Sequence, residues 1–433
     1  MRSRASLLLV AALVLFAPPV SAVLEITITE GAPNARPIAV VPFGWQGEDD
    51  PPEDIADIVG DDLTRTGRFA PAEERDLVAR PTTGEEVRYG NWGTLGVDHV
   101  VVGRVSPNGE QRYRVQFQLL DVLRERQVAG YSYQARRGNL RGVAHEISDV
   151  IFEQVTGIRG AANTRVGMVS VDESGEEPEY RLQIADYDGY NARTILTSPA
   201  PIMSPALAPD GERIAYVSFE RRRAAIFVQE IRTGERRRVS AQRGINGAPA
   251  WSPDGERLAV TLNHEGSPDI YVLDVAGGDL QRVTRGGAID TSPTWMPNGG
   301  ELIFTSDRSG GPQLYRVPVD RSERAQRVTF GGPYNADPDV SPDGEHLTYV
   351  HRTQNGDFRI AVMDLRSDQM RVVTEGRLDE SPSFAPNGEM ILFATDHQGR
   401  GVLGLVSADG EAVARLAQSE GDVREPSWGP FRD

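Results

Sequence analysis

The sequence predicts a small α/β (α+β) domain followed by a six-bladed all-β propeller, closed by strands from both ends of the propeller segment. Three observations carry this reading. A Pro-Asp/Asn-Gly turn recurs at Asp210, Asp254, Asn298, Asp343 and Asn387, in steps of 44, 44, 45 and 44 residues, and a strand-bearing period in the forties marks propeller blades. Each turn is followed by two β-rich runs, most of them with a short third run such as Arg238-Val239-Ser240, and with the stretch leading into the turn this makes four antiparallel strands. The ends are complementary, because residues 166–196 supply three strands without a preceding turn and Pro426-Ser427-Trp428-Gly429-Pro430 starts a unit that stops. Joined, they complete a sixth blade and leave no long open edge.

Turn chemistry explains the repeat. Proline presets φ for the first corner, Asp or Asn tolerates the second, and glycine accepts positive φ. The repeated acids therefore read as turn residues rather than as carboxylate machinery.

Ahead of the repeats, Arg2 and Arg4 precede an apolar run over residues 7–16, and small residues lead to Ala22. This is the pattern of a secretory signal peptide over residues 1–22, cleaved between Ala22 and Val23. The run falls well short of the roughly 20 apolar residues of a membrane span, which argues against direct membrane insertion. Residues 23–158 then read as a separate domain, with a buried strand at 38–43 and a helix from about Pro52 carrying Ile55, Ile58, Val59 and Leu63 on one face. A second helix over 85–95, strands near 99–103, 113–119 and 128–133, and a helix from Leu140 with Val143, Ile147, Val150, Ile151 and Val155 aligned complete it. Residues 159–165 form the linker and 166–433 the propeller. At the start of the mature chain Val23, Leu24, Glu25, Ile26, Thr27, Ile28, Thr29 and Glu30 alternate as an edge strand does. By pattern alone this is the first strand of the N-terminal domain, but being terminal and short, residues 23–34 can also be mobile, detaching to add as a strand to another protein.

Composition bounds the function. The formal charge of −17 becomes −19 once Arg2 and Arg4 are removed, which disfavours nucleic acid as a ligand. Every basic residue is arginine, and with no cysteine both disulfides and thiol catalysis are excluded. There is no Gly-x-Ser-x-Gly elbow, and His99, His145, His264, His346, His351 and His397 lack metal-ligand spacing and read as surface or strand packing. Arg221-Arg222-Arg223 and Arg236-Arg237-Arg238 read as solvated surface. A hydrolase or lyase working in the propeller channel is the alternative from another class. Binding is better supported, because the connectors between blades, at 197–203, 241–248, 285–291, 330–336, 375–380 and 419–425, differ in sequence while the hairpin turns are nearly uniform.

Arg36-Pro37-Ile38-Ala39-Val40-Val41-Pro42-Phe43, Pro52-Glu53-Asp54-Ile55, Val100-Val101-Val102-Gly103 and Ala185-Asp186-Tyr187-Asp188-Gly189-Tyr190-Asn191, together with the six-blade pattern, resemble the TolB proteins of the Gram-negative Tol-Pal system. The resemblance implies a periplasmic, non-enzymatic monomer that binds the peptidoglycan-associated lipoprotein Pal through the propeller and TolA through its mature N-terminus. Further outer-membrane-associated proteins are additional partners in such a reading. No cofactor is implied, and a calcium ion in the channel would be structural. The family's Pal site maps onto the connector face, at Met203, Ile245, Asn246, Gly247, Ala248, Asp290, Thr291, Asn335 and Glu380, with Ile245 standing where the family has histidine.

Overall fold

The computed structural model describes residues 34–263, 266–416 and 421–432. The expected signal peptide, residues 1–22, and the segment Val23 to Glu30 lie outside them.

The N-terminal domain is built on a mixed sheet of β1 (Arg36–Val40), β2 (Gly44–Trp45), β3 (Phe69–Pro71), β4 (His99–Pro107), β5 (Arg112–Asp121) and β6 (Arg126–Arg136). The strand order is β3-β1-β4-β5-β6, with β2 also on β4. Alternation divides its side chains between two cores. Ile38, Val101, Phe117 and Leu119 face α1 (Ile55–Arg65) and α3 (Leu140–Thr156), while Ala39, Val100, Val102 and Leu120 face Trp92 of α2 (Tyr89–Leu95).

Two helix boundaries differ from expectation. α1 begins at Ile55 rather than near Pro52, because Asp54 caps it by accepting from the Asp57 amide at 3.1 Å. The helix expected over 85–95 is divided into a 3-10 turn, Gly84–Glu86, and α2, because buried Val87 is extended between them. Residues 157–163 link the domains, two positions earlier than expected, and are packed: α3 ends with Gly157 in the left-handed conformation, and Asp149 accepts from the amides of Ala162 (2.6 Å) and Asn163 (2.9 Å).

The propeller starts at β7 (Thr164–Asp172), which with β8 (Glu179–Asp186), β9 (Arg193–Ser198) and the C-terminal strand Asp422–Phe431 forms blade 1. That strand lies on β7, the innermost strand of the N-terminal three, so the ring is closed by antiparallel pairing. Blades 2 to 6 are four-stranded sheets whose inner strands are Ile202–Leu207, Asn246–Trp251, Asp290–Trp295, Asn335–Val340 and Asp379–Phe384. The glycines of the repeated turns, Gly211, Gly255, Gly299, Gly344 and Gly388, all have φ between 66 and 76 degrees, which is why glycine recurs there. Neighbouring blades are also joined by side chains. Arg213 stacks on the Trp251 ring 4.7 Å away and donates to the Gly255 carbonyl at 3.0 Å, and Arg257 repeats the stacking on Trp295 at 4.8 Å.

Candidate functional site

The inner strands position the connector face. Each carries a bulge in which a non-glycine residue takes positive φ: Ser204, Ala248, Ser292, Asp337, Ser381 and Glu425, at 45 to 56 degrees. Every one of them precedes a proline, at 205, 249, 293, 338, 382 and 426. These bulges line a central channel of about 1380 Å³, together with Met203, Thr291, Asp339 and Glu380. The proline recurrence was a readable signal for this ring.

A second repeat lies at the start of the same strands. Ile245-Asn246, Ile289-Asp290 and Leu378-Asp379 each pair an exposed residue with a buried polar one, and Tyr334-Asn335 repeats the pattern with a half-buried tyrosine. The polar members staple the connectors. Asn246 accepts from the Ser240 hydroxyl (2.7 Å) and the Gln242 amide (2.9 Å), Asp290 accepts from Ser306 (2.6 Å) and Arg308 (2.8 Å), and Asn335 donates to Gln313 (2.8 Å) and the Gly331 carbonyl (2.7 Å). With at most 1% exposure, Asn246, Asp290 and Asn335 have no surface to offer and shape the connectors from beneath. Met203 and Ile245 are 41% and 45% exposed, and Gly247, Ala248, Thr291 and Glu380 are partly exposed. Met203, Ile245, Asn246 and Gly247 also line a separate pocket between blades 2 and 3.

Burial raises three of the channel carboxylates. Asp337 and Asp339 are each pushed up to about 6, Asp337 also by the neighbouring Glu380 charge, and Glu425 is raised although it accepts from the Ser204 amide.

The opposite face carries the N-terminal domain. The β8–β9 turn, within the stretch Ala185 to Asn191 singled out in the sequence, enters that domain and buries Tyr187 and Asp188, so it acts as a domain clamp. Asp62 of α1 accepts from the Tyr187 hydroxyl (2.7 Å), Arg65 (2.9 Å) and Ser148 (2.8 Å), and the His145 ring lies 2.7 Å away. Asp188 accepts from Arg141 and lies 3.6 Å from the other His145 nitrogen. Gly67, at φ 69, passes so close to blade 6 that an added Cβ would sit 2.7 Å from that of Ala412, and Arg68 pairs with Glu389 at 2.8 Å. His145 is therefore neither surface nor strand packing: it is a buried helical residue at the junction, and its partners are distant in sequence.

Asp62, His145 and Asp188 are the one group of three or more ligand-type side chains that converge among the described residues. They do not suit a metal. The two aspartates meet opposite nitrogens of one ring, and Arg65 and Arg141 already neutralise them. Burial alone would lower His145, but the Asp62 and Asp188 charges raise it above its ordinary range; burial alone would raise Asp62, but His145 and Arg65 hold it below.

Comparison with known proteins gives this geometry a family. Residues 24–128 match the TolB amino-terminal domain and residues 152–432 the TolB beta propeller domain. The chain belongs to the TolB family. It is 59% identical over 414 residues to the Tol-Pal system protein TolB of Thioalkalivibrio sulfidiphilus and 57% identical to that of Nitrosococcus oceani, covering 95% of each. The crystal structure of TolB from Acinetobacter baumannii superposes with a TM-score of 0.86 at 36% identity, covering 94% of this chain and 100% of that one. The TolB fold thus accounts for both domains. No helix among the described residues is long and apolar enough to cross a membrane.

Proposed function

We propose that this TolB-family chain is a periplasmic adaptor of the Tol-Pal system that works by binding rather than turnover. The observation that carries this reading is the connector face, where Met203, Ile245, Ile289, Phe330 and Leu378 stand exposed at the approaches to five successive blades. Grouped exposed apolar side chains mark a surface that a partner covers. In this reading Pal sits over Met203, Ile245, Gly247, Ala248, Thr291 and Glu380, while Asn246, Asp290 and Asn335 hold the connectors in shape beneath it. TolA takes the segment Val23 to Glu30. The two links together support outer-membrane integrity and constriction during cell division. The adaptor uses no catalytic cofactor, and any calcium found in the channel by metal analysis is structural.

A paired titration tests both halves. Residues 23–433 and a chain starting at Arg36 are each titrated with the soluble domain of the cognate Pal and with the TolA C-terminal domain. Both chains are expected to bind Pal at one site and only the longer one to bind TolA. Absence of Pal binding, or TolA binding by the shorter chain, overturns the corresponding half.

A further inference from the structure

We propose that the pocket between blades 2 and 3 receives an apolar side chain from an acidic segment of the protein that docks on the connector face, a refinement that rests on the Pal-binding reading of that face. The pocket measures about 550 Å³. Met203, Val217, Phe219, Ala224 and Ile245 give it apolar walls, and Arg223 and Arg243 border it. The two arginines come from different elements: Arg223 from the loop between the second and third strands of blade 2, Arg243 from the connector to blade 3. Both are exposed, and neither has a hydrogen bond or ion pair among the described residues.

Local charge supplies the complementarity. The loop and the connector that border the pocket carry Arg221, Arg222, Arg223 and Arg243, all exposed, against Glu220, in a chain whose net charge is −17. Glu220 is already committed to Arg236 at 2.8 Å. The segments bordering the pocket are thus basic in an acidic chain. A partner that covers this pocket removes water from two exposed guanidinium groups, and carboxylates in bidentate geometry replace that water best. An anionic lipid headgroup would meet the charge alone. The exposed apolar residues continue past the pocket to Ile289, Phe330 and Leu378, an extended surface that fits a folded protein.

The test compares charge reversals in the full mature chain. The double variant Arg223→Glu/Arg243→Glu should bind the soluble Pal domain about tenfold or more weakly, with a flatter salt dependence. Arg232→Glu/Arg238→Glu, at exposed arginines of the same blade outside the pocket, should stay within about twofold of wild type, the range of a rim charge. Because Arg223 and Arg243 make no internal bonds among the described residues, unchanged thermal unfolding is expected in the first variant. Equal binding by all three proteins overturns the pocket proposal. Equal weakening by both pairs does so too, since it signals steering by net charge. If the first variant loses only its capture by phosphatidylglycerol vesicles and keeps Pal affinity, the site is a lipid site and the proposal falls. If wild type itself fails to bind Pal, the adaptor reading falls and takes this inference with it.

Discussion

Ala248 concentrates the conflict between local backbone preference and ring geometry. It stands with φ +45 just before Pro249, where an L-residue is crowded and the following proline favours extended backbone. Of the six bulge residues it alone has no polar side chain with which to bond locally. A left-handed L-residue costs about 1–2 kcal/mol, whereas glycine there costs about 0.5–1 kcal/mol in unfolded-state freedom. Ala248→Gly is therefore expected to raise the unfolding free energy by up to about 1 kcal/mol in chemical denaturation. A clear loss of stability would mean that the Ala248 methyl packs well enough to outweigh its backbone strain. Such strain is hard to see in sequence, because alanine gives no sign of it; only the proline after each bulge, repeated in phase with the turns, points there.

At the scale of elements, the C-terminal strand joins the ring closure to the domain junction. Trp428 donates to the Thr164 hydroxyl at 2.8 Å, is 7% exposed and stacks on Tyr187 with centroids 6.1 Å apart. Removing residues 425–433 deletes this side chain, opens the β7 edge and withdraws a wall from Tyr187. The expected cost is at least the about 3–5 kcal/mol typical of deleting a large buried aromatic, read as a fall in thermal midpoint. An unchanged midpoint would be incompatible with closure by this strand. The closure was legible because both of its halves are local patterns: three strands without a turn at one end, a turn-like start without strands at the other. The junction was not. His145 sits on a helix whose apolar spacing fully explains it, and its partners Asp62 and Asp188 lie 83 and 43 positions away, so neither periodicity nor motif spacing could bring the three together.

Across the whole molecule the two domains are held by a charge cluster that is balanced only when His145 carries a proton. Asp61, Asp62 and Arg65 face it from α1, Arg141 and Asp149 from α3, and Tyr187 and Asp188 from the propeller turn. With His145 protonated, Arg65, Arg141 and His145 match Asp61, Asp62 and Asp188. Its folded-state value lies above the ordinary 6.5, so its contribution is complete below pH 6.5 and is lost as pH rises through the folded value. Asp149 acts in the same direction. Burial pushes it from 3.8 up to about 7, so the folded state holds a proton that the unfolded chain has released, and stability falls as pH rises across that interval. Asp62 works the opposite way: it is lowered below 3.8, so its contribution is lost only in stronger acid. The junction is therefore expected to be tightest near pH 4 and to loosen as pH rises, through Asp149 up to about pH 7 and through His145 above 6.5. Hydrogen exchange of α1, α3 and residues 186–191, followed from pH 5 to 9, should show protection falling across this range, while the inner strands of blades 3 to 5 hold theirs. His145→Gln keeps a polar ring-sized group but cannot charge, so it should lower protection at pH 5 and remove the part of the slope above pH 6.5. A variant with the same pH profile as wild type would show that the His145 proton does not hold the domains together.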